Sequence, residues 1–227
     1  MNDHGLYIYS KCKLSPITLS ELEAYSFYAI NALTSIAKSA LIGEFNHTFI
    51  WENTQEQREL LLGSNLWKTL KFMWDYAENG EHYSELHDGL IVDLIHDLYL
   101  WSAACGSRLA LDGSFGYESI EVREAGIKLG YKYLARLKLD YGCDLVKDIP
   151  IHALYPQSHE EALSTIEYAL LSGFSVVGAV RNEIMDKSDP LIATKQGKVS
   201  FIDVDSAKPR ILKKRKFTPT FGVNYDC

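Results

Sequence analysis

The chain has 227 residues, of which 47% are hydrophobic and 23% charged, and its 30 Asp and Glu outweigh 23 Lys and Arg to give a net charge of −7. That balance excludes a generally basic nucleic-acid coat, and the apolar share excludes a disordered segment. At this length one domain over residues 1–227 is expected, with a helical body over 1–145 and a helix plus small sheet over 146–227.

The first helix is predicted from Leu19 to about Leu41. Thr18 and Glu21 form a capping-box pair before it, and Ile17 with Leu22 form a hydrophobic staple. Leu19, Leu22, Tyr25, Ala29, Leu33, Ile36 and Ala40 then give one core-facing stripe, stopped at Gly43. Thr54 with Gln57 opens a short helix ending near Gly63, and Leu66, Trp67, Leu70, Met73, Trp74 and Ala77 form an aromatic-rich stripe closed by Asn79-Gly80. The segment from Ser84 to Cys105 is apolar on most of its circumference, the pattern of a centrally packed helix.

A Gly-rich turn over 111–119 precedes a second long amphipathic helix from Ile120 to Tyr141, ended by Gly142. Ser158 with Glu161 makes a further capping box, opening a helix that Gly173 closes. Beyond Gly173, FSVVGAV, KVSFIDVD and RILKKRKF read as strands, the last two as a hairpin, although FSVVGAVRNEI equally fits the start of a buried helix. The fold class is therefore α+β, mainly α: a bundle-like helical body followed by a small C-terminal antiparallel β element.

Cysteines at 12, 105, 143 and 227 form no CxxC pair, which fits isolated thiols in a reducing compartment. The N-terminal MNDHGLYIYSKCKL has no secretory pattern, and the most apolar run, Gly89 to Trp101, is interrupted by Asp93, His96 and Asp97 and is shorter than the ~20 residues of a membrane span. Cys227 is the last residue, whereas prenylation needs a Cys fourth from the end. A cytoplasmic location without membrane association is expected.

Two patterns point to metal chemistry. Glu44-Phe45-Asn46-His47 and Asp93-Leu94-Ile95-His96 each set a carboxylate and an imidazole three residues apart, on one face of a helix where both can reach one cation. Glu85, Asp88 or Asp97 would supply a further ligand or base. In this spacing the chain resembles ferritin-like and haem-oxygenase-like helical oxidases, which implies Fe, Mn or Zn held by Glu44, His47, Asp93 and His96. It departs from them in having Asp93 for one Glu and in placing Glu44 after the expected helix stop at Gly43. The order His47, His87-Asp88 or His96-Asp97, then Asp140 or Asp144 also looks like the ligand order of HD-type phosphohydrolases, whose divalent ion activates a water. Against both stands the reading that Asp93, His96 and Asp97 are the one wet stripe of a mostly buried helix.

Other chemistries have less support. Cys12 lies between Lys11 and Lys13, which lowers a thiol pKa where the thiol is exposed, but no His or Asn is placed to complete a dyad. Residues 106–116 contain neither GxxxxGK[ST] nor GxGxxG. Lys208, Arg210, Lys213, Lys214, Arg215 and Lys216 make a basic patch of six cations in nine residues, leaving −13 on the rest of the chain. It fits a local phosphate or nucleic-acid contact, but is read first as an edge strand guarded by lysines.

The acidic body and the 14 tyrosines favour macromolecular binding over catalysis. An electronegative surface speeds encounter with a basic protein, and tyrosines anchor interfaces. The expectation is a soluble intracellular protein, without a cofactor, of the physical type of immunity or inhibitor proteins. The metal-dependent enzyme is the alternative.

Overall fold

The computed structural model describes residues 8, 12–42, 54–81, 88–105, 118–147, 149, 151–186, 188, 191–196 and 199–225. The chain is α+β and mainly helical, with a three-stranded antiparallel sheet near its C-terminal end.

Helix α1 spans Leu19–Ile42 and starts as its capping box dictates: the Glu21 carboxylate accepts from Thr18 N at 2.7 Å and Thr18 Oγ1 accepts from Glu21 N at 3.2 Å. Ile17 and Leu22 are both buried beside it. Helix α2, Gln55–Gly63, carries the Thr54–Gln57 capping box. Helix α3, Asn65–Trp74, is capped by Ser64 and buries Leu66, Leu70 and Met73. It runs into a π-helical turn over Asp75–Asn79 that ends at Gly80, whose φ of +69° suits glycine. Two bonds tie the segment before α1 to this turn and the end of α3: Ile17 N donates to Glu78 Oε1 at 3.0 Å, and Trp74 Nε1 donates to the Ile17 carbonyl at 2.7 Å.

Helix α4 covers Asp88–Cys105 and helix α5 covers Glu118–Tyr141. The central position belongs to α5 and not, as the sequence suggested, to the more apolar α4. Every residue from Ala125 to Leu139 is buried, and α5 packs against α1, α3, α4 and the later helices over 165–172 and 204–212. By contrast α4 leaves Asp93, Asp97 and Leu100 exposed. Polar residues on α5 obscure its position, because Lys132 and Lys138 meet buried carboxylates, and Arg136 carbonyl and hydroxyl oxygens, within the fold.

A short turn of helix, α6, covers Ile151–Leu154, and the strand β1, Leu163–Ser164, leads directly into α7, Thr165–Ser172. The capping box of α7 is Ser164–Glu167, six residues after the predicted Ser158–Glu161. Ser158 is instead buried and donates to Glu167 at 2.6 Å. FSVVGAV contains no strand, and helix α8 spans Gly178–Ile184.

The hairpin consists of β2, Ala193–Gln196, and β3, Val199–Ile202, with β3 central in the order β1-β3-β2. RILKKRKF is therefore no strand. Asp203 caps helix α9, Val204–Leu212, by accepting from Ser206 N at 2.8 Å, and Ala207 with Ile211 turn one face inward at helical spacing. One hydrophobic cluster runs from Ile8 through the helices other than α2 to Ile202 and Phe217. Among the described residues no helix is long and apolar enough to cross a membrane.

Candidate functional site

The predicted metal ligands divide between described and undescribed parts of the chain. Glu44, His47 and Glu85 lie outside the described residues, as does the side chain of Asp88, the first residue of α4. Asp93 and Asp97 are exposed and His96 is half-buried, and with exposed Leu100 they share one face of α4. Partial burial and then the Asp93 charge raise the Asp97 carboxyl above its ordinary range, while His96 opposes the shift. Among the described residues no three His, Cys, Asp or Glu are grouped to hold a metal ion. The two downstream Asp candidates for the phosphohydrolase order serve elsewhere. Asp140 accepts from three hydroxyls, and Asp144 pairs with Lys147 at 3.0 Å on the surface.

Cys12 does not sit in an electropositive exposed position. It is buried, and burial followed by a hydrogen bond with Glu124 pushes its thiol up to about 12, which suppresses the thiolate.

The basic patch has a different form from the one predicted. Lys208 and Arg210 lie on α9 and the other four cations follow its end, so no edge strand is being guarded. Several of the six have partners: Lys214 and Arg210 face Glu183, the latter at 3.9 Å, and Lys208 Nζ lies 5.2 Å from the centre of the Tyr225 ring. Lys216 Nζ reaches the Gly173 carbonyl at 3.3 Å. Lys213, Arg215 and Lys216 are exposed.

Charges on α5 escaped the sequence reading. Lys128, Lys132, Arg136 and Lys138 are all buried. Lys132 Nζ pairs with Glu78 at 2.5 Å, and Lys138 Nζ pairs with Glu167 at 2.6 Å while also donating to Ser158 Oγ at 2.8 Å. Burial lowers the Lys132 ammonium pKa, with Glu78 opposing. Arg136 lies between rings, its guanidinium carbon 4.7 Å from the Phe217 centroid and 5.8 Å from that of Tyr76. The spacing of 128, 132 and 136 was visible as a stripe of cations, but it is indistinguishable in sequence from a solvated face.

The tyrosines correct the expected surface in the opposite sense. Of the ten described, Tyr25, Tyr28, Tyr76, Tyr131, Tyr133, Tyr155 and Tyr168 are buried, and they build the core rather than a docking face. Large apolar side chains that do reach solvent include Phe221, Met185, Ile192, Leu60 and Leu100. No protein-family model, curated protein or solved structure matches this chain. What the fold and its surface define is a mainly helical α+β protein with cations drawn into its centre.

Proposed function

We propose that the protein acts by binding a basic protein partner through its acidic exterior, in the manner of an immunity or inhibitor protein. The observation that carries this reading is the charge sorting around α5. Among the described residues, four buried cations stand against the carboxylates of Asp75, Glu167 and Glu78, the last with its side chain 8% exposed, and so withdraw a net +1 from a chain of −7, leaving −8 on the rest. An exterior more negative than the composition implies attracts a basic surface over roughly one Debye length, ~8 Å at physiological salt. The α4 stripe of Asp93, His96, Asp97 and Leu100 is a suitable landing place, because a partner cation between Asp93 and Asp97 relieves their mutual repulsion and Leu100 adds apolar contact.

The test is kinetic. A basic protein retained by the immobilised chain is purified, and its association rate is measured from about 0.05 to 0.5 M salt. The rate is expected to fall steeply with salt, and Asp93→Lys with Asp97→Lys to slow it about tenfold at low salt. An on-rate that is flat in salt, or retained proteins that are acidic, would overturn the proposal.

A further inference from the structure

The end of α9 is folded into a fixed and strongly basic turn. Lys213 N donates to the Arg210 carbonyl at 3.2 Å, Lys214 N to the Ile211 carbonyl at 2.9 Å and Phe217 N to the Lys214 carbonyl at 3.0 Å. Side chains anchor it as well. Lys214 pairs with Glu183 and its Nζ lies 4.9 Å from the centre of the Phe174 ring, while Phe217 is buried. Lys216 rests on Gly173, where a Cβ would stand 2.7 Å from Lys216 Cβ, so glycine is what lets that stem lie close. Lys213, Arg215 and Lys216 remain exposed, and among the described residues neither Lys213 nor Arg215 has a side-chain hydrogen bond or ion pair. The backbone of the turn is thus ordered before anything binds, which spares an anionic partner the cost of ordering a loose tail.

The two most exposed large hydrophobic side chains among the described residues flank this turn in the chain and through its contacts. Met185, 78% exposed, lies two residues beyond Glu183, the partner of Lys214. Phe221, 83% exposed, is five residues after Lys216 and therefore within about 18 Å of it. Its backbone is fixed, since Phe221 N donates to the Gly80 carbonyl at 2.9 Å. Val176, also exposed, is three residues beyond Gly173. The carboxylates of this region do not cancel the cations: Glu183 is engaged by Lys214 and, at 3.9 Å, by Arg210, and Asp186 accepts from Ser188 N at 2.9 Å. A lipid surface matches both halves of this arrangement, because its headgroups attract cations and its acyl boundary accepts apolar side chains. A single-stranded nucleic acid would use the cations and stack on Phe221, but it leaves Met185 and Val176 in water.

We propose that this basic turn is a peripheral contact site for an anionic bilayer, with Lys213, Arg215 and Lys216 at the headgroups and Met185, Val176 and Phe221 entering the interface. The expectation of no membrane association rested on the lack of a long apolar run, and a surface contact requires none. Each cation near an anionic bilayer strengthens binding about fivefold, so the three together give about a hundredfold. Charges on the acidic remainder of the chain oppose this only within a Debye length, ~8 Å at physiological salt. The contact uses different residues from the acidic docking surface and does not rest on that reading.

Co-sedimentation of the full chain with lipid vesicles tests it. Vesicles of phosphatidylcholine with about 30% phosphatidylserine should retain the chain at low salt, vesicles of phosphatidylcholine alone should not, and retention should fall as salt rises. Lys213→Gln with Arg215→Gln should weaken binding about thirtyfold, whereas the same change of charge at exposed Lys68 and Lys195 should change it less than about threefold. Met185→Ser with Phe221→Ser keeps every charge and should weaken binding about tenfold. The proposal is overturned if the anionic vesicles retain nothing, if both lipid compositions retain the chain equally, or if the Lys68 and Lys195 pair matters as much as the turn. Indifference to the loss of Met185 and Phe221, or tighter retention by a uridine homopolymer than by the vesicles, would assign the turn to a soluble polyanion and overturn it too.

Discussion

Gly126 and Gly130 explain how a core so rich in tyrosine closes. They stand one turn apart on α5, and a Cβ on Gly126 would lie 2.2 Å from Tyr25 Cζ, while one on Gly130 would lie 2.4 Å from Tyr155 Cε1. Neither ring has room to retreat, since both are fully buried and the Tyr25 hydroxyl is fixed to Ser102 at 2.6 Å. Gly126→Ala should therefore overpack the α1–α5 contact and cost about 2–3 kcal/mol, despite the better helix propensity of alanine. Gly63→Ala is the control: nothing lies within 4 Å of that Cβ, and a change of less than about 0.5 kcal/mol is expected. Urea unfolding of the two variants beside the parent measures both, and equal effects would show that the rings do yield. The sequence displayed these glycines and tyrosines, but Gly126-x-x-x-Gly130 has no meaning until the facing rings are known.

At the scale of elements, the joint between α5 and α7 is a closed ionic one. Glu167 accepts from Lys138 and Ser158 on one oxygen and from Ser164 N at 2.7 Å on the other, so a single carboxylate both caps α7 and neutralises the cation from α5. Lys138→Met leaves that carboxylate buried without its cation and should cost about 3–5 kcal/mol, whereas adding Glu167→Gln should restore part of the loss. The double-mutant cycle is the measurement, and additive losses would mean that the pair is not coupled. Capping boxes made α1 and α2 legible almost to the residue. The same S-x-x-E pattern misplaced α7 because it occurs at both Ser158 and Ser164, and only tertiary contact selects the one whose glutamate meets Lys138. RILKKRKF failed as a strand because Asp203, outside the run, caps a helix into which its first three residues fall. The basic turn beyond that helix has no periodicity to read.

For the molecule as a whole, the mainly helical α+β class was legible in the periodicities, whereas the places of charges and phenols were not, since composition carries no address. That placement has a consequence for alkaline stability. Burial pushes the thiols of Cys12 and Cys105 and the phenol of Tyr225 each up to about 12, and it raises Tyr25, Tyr76, Tyr133, Tyr155 and Tyr168 above the ordinary tyrosine value. Each of these acids keeps its proton more firmly folded than unfolded. Its contribution is complete below the unfolded pKa, about 8.5 for cysteine and about 10 for tyrosine, and is lost as pH rises from there towards the folded value. Lys132 and Arg136, whose pKa values burial lowers, act with the opposite sign but are two groups against several. Stability should therefore hold to about pH 8 and then fall by about 1.4 kcal/mol per pH unit for each group engaged, the thiols first and the phenols joining above about pH 10. Cys105→Ala should flatten the first part of that fall without removing the second. Denaturant midpoints measured from pH 7 to 11 decide the matter, and a stability constant across that range would mean that these groups exchange protons freely with solvent in the folded chain.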